Sequence, residues 1–171
     1  MKDLKNKVAI VTGSSSGVGA ATARLLASMG CHLIVNYNSN SDGAESVARE
    51  CQEEGVETLV LKANVSSDDD CKMLASAAVE KWGRIDVLVN NAGTTKFVDH
   101  ANLDGLSAED FQHIYGVNVI GSYQMVRAVA EQMKTQKDGG AVVNVASIAA
   151  VTGVGSSIAY ASSKGALVTM T

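Results

Sequence analysis

Lys7-Val8-Ala9-Ile10-Val11-Thr12-Gly13-Ser14-Ser15-Ser16-Gly17-Val18-Gly19 joins three local patterns in one run. Lys7 to Thr12 is a short apolar segment rich in β-branched residues, which predicts a strand buried on both faces. Gly13 to Gly19 is a serine- and glycine-rich loop, and Ala20 to Met29 reads as an Ala/Leu-rich helix closed by Gly30. Strand, glycine loop and helix start, in that order, are what a phosphate-binding loop requires. Glycines let the backbone turn sharply and approach a pyrophosphate, while the helix N-terminus offers free N–H groups and the positive end of its dipole. A glycine-rich turn with no ligand would explain the loop by itself, but not the strand and helix that flank it. The spacing Gly-x-x-x-Gly-x-Gly is one residue longer at the front than the common dinucleotide fingerprint.

Outward from that stretch, strands and helices alternate. His32 to Tyr37 reads as a second strand, Ser41 to Glu54 as a helix ended by Gly55, and Thr58 to Lys62 as a third strand. Ser67 is placed to cap a helix running to Trp82-Gly83, with Asp68, Asp69 and Asp70 in the first turn where the dipole favours them. Ile85 to Val89 predicts a fourth strand and Ala141 to Val145 a fifth. Between them Ser107 caps a long helical stretch from about Phe111 to Lys134, interrupted at Gly116 and Gly121. Gly153 and Gly155 mark a loop before a last helix. This alternation predicts an α/β, Rossmann-like doubly wound parallel sheet with helices on both faces and strand order 3-2-1-4-5, in one domain over residues 1–171. The sequence stops at Met170-Thr171 in mid-pattern, so the fold is expected to lack its last strands and to leave the fifth strand with an uncovered edge.

The bulk properties narrow the function. A net charge of −4 argues against nucleic acid or an anionic membrane as the main partner, because both reward clustered Lys and Arg. No stretch has the length of apolar sequence needed to span a bilayer, and no apolar run follows the N-terminal Lys2. Cys31, Cys51 and Cys71 are odd in number and never in a CxxC, which predicts free thiols in a reducing, cytoplasmic compartment. His32, His100 and His113 have no metal-ligand spacing, the acidic triplet is a solvated helix start, and no metal site is expected.

Asn90-Asn91-Ala92-Gly93 ends the fourth strand. In such sheets ligands lie beyond the carboxyl ends of the strands where the strand order reverses, so this run and the glycine loop should face one crevice. Ser147, just past the fifth strand, lies on the same side and lacks the Asp and His partners of a hydrolase nucleophile. Asn118, flanked by Val117 and Val119, needs a partner if buried: it either satisfies a broken helix turn or points into the site. Tyr160 and Lys164 are four apart and share one helix face. An ammonium about 4 Å from a phenol is worth roughly 4 kcal/mol at an effective dielectric near 20, about three pKa units, enough to bring a tyrosine from about 10 towards 7. With four Tyr and ten Lys in 171 residues, a YxxxK arises by chance about once in four such chains, so the preceding motifs must carry the argument.

Taken together, Thr12 to Gly19, Asn90 to Gly93, Asn118, Ser147 and Tyr160-Ala161-Ser162-Ser163-Lys164 resemble the short-chain dehydrogenase/reductase family, closest in style to the 3-oxoacyl-[acyl-carrier-protein] reductases. The resemblance implies hydride transfer between a nicotinamide dinucleotide and a ketone or secondary alcohol. Tyr160 would be the general acid or base, Ser147 would hold the reacting oxygen, Lys164 would lower the Tyr160 pKa and bind the ribose, and Asn118 would hold a relay water. Gly13, Ser14, Ser15, Ser16, Gly17, Val18 and Gly19, with Asn91, Ala92 and Gly93, would bind the cofactor. Tyr37, Asn38 and Ser39 stand where an acidic residue would select NAD(H), so NADP(H) is favoured. Asn64-Val65 replaces the family's Asp-Val at the adenine. Family members also pair as homo-oligomers, through the helix around Ser122 to Lys134 and through the Tyr-Lys helix. The alternative reading is a dinucleotide-binding module without turnover.

Overall fold

A computed structural model describes residues 4–171. The sheet runs β3 (Thr58–Lys62), β2 (His32–Tyr37), β1 (Val8–Val11), β4 (Val87–Asn90), β5 (Ala141–Asn144), all neighbours parallel. Register follows from alternation in β1. Val8 and Ile10 point into one core with Leu74, Met125 and Val129; Ala9 and Val11 point into the other with Ala23, Val47 and Cys51. A strand buried on both faces must be apolar throughout, and each Val or Ile so buried contributes about 1.5–3 kcal/mol. The predicted α/β doubly wound sheet and its strand order are therefore those of the structure.

Helices α1 (Gly17–Ser28) and α2 (Ser41–Glu53) cover one face, and α3 (Asp68–Trp82) packs on the other. Ser67 accepts the Asp70 N–H at the start of α3, and Gly83 ends it in the left-handed conformation. A capping box of Ser107 and Asp110 starts α4 (Ala108–Tyr115). The chain then widens into a π-helical turn, Gly116–Gly121, before α5 (Ser122–Thr135). The two glycines expected to interrupt one long helix are the ends of that turn. A Cβ on Gly121 would stand 2.7 Å from Val65 Cγ2 and 3.0 Å from Val65 O, so this approach to the β3–α3 loop needs glycine.

Several boundaries differ from expectation. Helix α1 begins at Gly17 rather than Ala20, so Val18 and Gly19 belong to its first turn. Strand β4 is Val87–Asn90 rather than Ile85 to Val89, because the Ile85 N–H donates to Gln136 Oε1 at 2.8 Å while Asn90 still pairs with Asn144. The predicted loop before the last helix contains a short helix, α6 (Ala149–Thr152), closed by left-handed Gly153. The last helix, α7 (Ile158–Met170), is capped by Ser157. On the outer strand β5, Val142 and Val143 are 40% and 51% exposed. Among the described residues, no helix is long and apolar enough to cross a membrane.

At the opposite end of the sheet Asp86 ties β1 to β4. It accepts the Val8 N–H at 2.9 Å and two bonds from Arg84 at 2.7 and 2.6 Å, with Lys7 Nζ 3.4 Å away. Burial works to raise its pKa, but Arg84, the Val8 N–H and Lys7 hold it below the ordinary carboxylate value. Asp86→Asn is expected to cost on the order of 2–3 kcal/mol, at the low end for a buried pair because Arg84 keeps contact with water. A depressed folded pKa gives stability that is present above the unfolded value of about 3.9 and lost as pH falls through the folded one. Urea unfolding at pH 7 and pH 3 checks this: the gap between wild type and Asp86→Asn should narrow in acid.

Candidate active site

Thr12, at the end of β1, has a fully engaged hydroxyl. Its Oγ1 donates to Val89 O at 3.3 Å and accepts the N–H groups of Asn91 and Ala92, each at 3.0 Å. Asn91 returns the contact, its Nδ2 donating to Thr12 O at 2.9 Å and Gly13 O at 3.1 Å. The two segments meet so closely that a Cβ on Gly13 would lie 2.9 Å from Ala92 Cα, and Gly13 also has a φ of +64°. A Cβ on Gly19 would lie 2.6 Å from Gly13 O. Gly13 and Gly19 are thus required by close contact, and Gly17, which meets nothing, by its φ of +55°; the glycine loop and Asn91-Ala92-Gly93 line one crevice.

The loop is anchored from the other side by Asn36, which the sequence reading missed. Its Oδ1 accepts the Gly13 N–H at 2.9 Å and its Nδ2 donates to Ala63 O at 3.1 Å, with Leu61 O at 3.3 Å. Ser14 is buried, its Oγ bonded to Val11 O at 2.8 Å and accepting the Asn36 N–H at 2.9 Å. An Asn inside an otherwise apolar strand was the available signal, since a buried amide needs several partners.

Helix α1 is left open at its start. Ser16, the N-cap, makes no side-chain cap bond and no acidic residue stands in the first turn, whereas α2, α3, α4 and α7 are capped by Asn40, Ser67, Ser107 and Ser157. Free N–H groups and the positive dipole end therefore face the cavity above the loop, an arrangement that fits a pyrophosphate. This cavity, about 400 Å³, is lined by Gly13, Ser15, Ser16, Asn38 and Ser39 from the β1 and β2 ends. Asn64 and Val65 line it from the β3 end, and Asn91, Ala92 and Gly93 from the β4 end. Among the described residues, no carboxylate lines it. His113, given no chemistry in the sequence, lines it from α4. Tyr37 is not a lining residue; it packs partly buried against the α1–α2 core.

A second cavity of about 460 Å³ shares Asn91, Gly93 and Thr94 with the first and adds Val18, Phe97, Tyr160 and Lys164. Lys164 is buried, its Nζ donating to Val145 O at 2.7 Å and lying 5.8 Å from the centre of the Tyr160 ring. Burial lowers its pKa from the ordinary lysine value. Asn118, fully buried in the π-helical turn, accepts the Thr94 N–H at 2.8 Å and donates to Thr94 O at 3.1 Å and to Ser163 Oγ at 2.9 Å. A Cβ on Gly93 would stand 3.4 Å from Asn118 Oδ1 and 3.6 Å from Lys164 Nζ, so the two polar groups flank one small space. Ser147 lines neither cavity; its Oγ accepts the Ala149 N–H at 3.2 Å, which leaves the hydroxyl proton free to donate. Gly17 and Gly19 shape α1 rather than the cavity wall.

The chain as a whole matches a known family. The family model for short chain dehydrogenases covers residues 7–171. The chain belongs to the short-chain dehydrogenase family. It is 36% identical over 171 residues to a 3-oxoacyl-[acyl-carrier-protein] reductase of Synechocystis, covering 100% of this chain and 68% of that one. Among solved structures it is similar to an NAD+-bound xylitol dehydrogenase, with TM-score 0.90 and 32% identity over 99% of this chain and 64% of that one. It is also similar to an alcohol dehydrogenase of the archaeon Thermococcus sibiricus complexed with 5-hydroxy-NADP, with TM-score 0.86 and 32% identity over 96% of this chain and 68% of that one. The chain spans 61%, 65% and 68% of the length of three curated relatives it matches.

The Thr12 contact is testable apart from any activity. Thr12→Val keeps the shape but strands the Asn91 and Ala92 N–H groups, at about 1–3 kcal/mol for each group left unpaired. Thr12→Ser should retain most of the stability. Chemical denaturation of the two variants checks the difference.

Proposed function

We propose that the chain binds a nicotinamide dinucleotide across the two joined cavities and is an oxidoreductase acting on a small ketone or secondary alcohol. The observation that carries this is the continuity of the open α1 N-terminus with the pocket holding Tyr160 and Lys164, through shared Asn91, Gly93 and Thr94. The dinucleotide supplies the hydride. The protein supplies position and a proton. Tyr160 gives its phenolic proton to the carbonyl oxygen in reduction and takes the alcohol proton in oxidation. Lys164, held by Val145 O with its Nζ 5.8 Å from the centre of the Tyr160 ring, sits beside the proton donor and is placed to bind the ribose hydroxyls. The family resemblance gives Ser147 the substrate oxygen; its hydroxyl proton is free to donate, though the residue stands outside the lining of both cavities. Asn118 and Lys164 flank the space where a water passes protons towards solvent.

NADP(H) is favoured over NAD(H) because neutral Asn38 and Ser39 and, among the described residues, no carboxylate line the cavity at the β2 end. The exposed Ile120 and Tyr123 beside the start of α5 support pairing of copies into a homo-oligomer. Three buried free thiols, burial pushing Cys31 up to about 12 and Cys51 and Cys71 to about 11, suit a reducing compartment such as the cytoplasm. A second reading, dinucleotide binding without turnover, is motivated by the chain's spanning about two thirds of its relatives' length.

Tyr160→Phe is expected to lower kcat for NADPH-dependent ketone reduction by about 10²–10⁴-fold while leaving the NADPH Kd within about twofold. Binding of NADPH by wild type with no turnover against a panel of ketones would sink the enzyme reading and leave the binding one. A lower Kd for NADH than for NADPH would overturn the cofactor preference.

A further inference from the structure

Tyr160 is held by its backbone on both sides. As the third residue of α7, its N–H has no partner within the helix, and it donates to Ser157 Oγ at 3.3 Å. Its carbonyl accepts from Ser163 Oγ at 2.7 Å. Ser157 and Ser163 are both fully buried, so each hydroxyl has to be paired inside the protein.

The direction of each bond from Thr94 to Tyr160 is forced. Asn118 turns one amide atom to the Thr94 N–H, which can only donate, so that atom is Oδ1 and the one meeting Thr94 O and Ser163 Oγ is Nδ2. An amide N–H can only donate in turn, so Ser163 Oγ accepts it and sends its own proton to Tyr160 O. Both Nδ2 protons are then used. Oδ1 keeps a second lone pair, and it stands with Lys164 Nζ on either side of the small space beside Gly93. Ser162 offers a contrast within the same helix. Its Oγ makes the same kind of bond back along α7, to Ala159 O at 3.1 Å, but the residue is exposed and has no bond to Asn118 among the described residues.

We infer that Ser163 is a positioning residue for the proton step: it ties the helix that bears Tyr160 and Lys164 to Asn118, and so keeps Asn118 Oδ1 and Lys164 Nζ on the two sides of the relay space. The inference rests on the oxidoreductase reading given above. Ser163 lines neither cavity, so it acts through Asn118 and not by contact with a ligand. Ser163→Ala leaves one Nδ2 proton unpaired in a buried setting and unties α7 from Asn118. The dinucleotide cavity keeps its walls.

The test is steady-state ketone reduction by NADPH, with NADPH binding followed separately by nicotinamide fluorescence. Ser163→Ala is expected to lower kcat about ten- to hundredfold, with the ketone KM and the NADPH Kd each within about twofold of wild type. Ser162→Ala is expected to leave all three unchanged. Added to Asn118→Ala, Ser163→Ala is expected to cost less than about twofold in kcat, because the residue it acts through is gone. Ser163→Cys keeps a weak donor and acceptor, and a fall of a few-fold in its kcat at unchanged Kd carries the test if Ser163→Ala does not fold. Wild-type kcat in whichever Ser163 variant folds, equal losses in Ser162→Ala and Ser163→Ala, or full additivity with Asn118→Ala overturns the inference and leaves the enzyme reading intact. Absence of turnover by wild type overturns that reading and this inference with it.

Discussion

Two backbone segments that are far apart in sequence, Thr12-Gly13 and Asn91-Ala92, meet so closely at Gly13 and Ala92 that no Cβ fits on the glycine. Thr12 Oγ1 takes both N–H groups of the second segment, and Asn91 Nδ2 takes both carbonyls of the first. Buried backbone groups must be paired, and here a hydroxyl and an amide do what a ladder would do if the strands continued. The sheet can therefore open at the ends of β1 and β4 without stranding polar groups. That opening is the crevice. The uncapped start of α1 and both cavities depend on it.

The same logic recurs one layer up. Asn118 pairs with both backbone groups of Thr94, as a neighbouring strand would, and holds Ser163 of α7 with its remaining N–H. Lys164 ties α7 to the end of β5 through Val145 O. Tyr160 is thus positioned by bonds from its own helix to the turn after α4 and to the end of β5, the first of which Asn118 extends to the loop after β4. Burying an ammonium against one carbonyl is unfavourable for stability, as the lowered Lys164 pKa indicates. Such groups are retained at sites for what they do there.

Elements governed by local pattern were legible in the sequence. The bounds of β2 and β3, the Ser67 and Ser107 caps, and the glycines that end helices follow from alternation, capping chemistry and φ > 0. What was missed depends on partners far along the chain. Asn36 holds Gly13 across 23 residues, and Ile85 leaves its strand for Gln136, 51 residues on. Nothing within a window around either residue encodes its partner. His113 lines the cavity from α4, a placing set by how that helix packs and not by its neighbours in sequence. The α6 turn escaped because its flanking glycines signal a loop, and four residues show no period.

The six-residue turn Gly116–Gly121 carries a consequence for chain length. Each residue of an α-helix advances its phase by about 100°, and a π-helical turn holds one residue more than an α-helical one. Losing one residue there would close the turn to an α-helical one and keep the phase of α5, so Met125, Val129 and Met133 would stay on the sheet. What would go is the widening that carries Asn118 to Thr94. The extra residue is thus held by what Asn118 does and not by the packing of the two helices it joins.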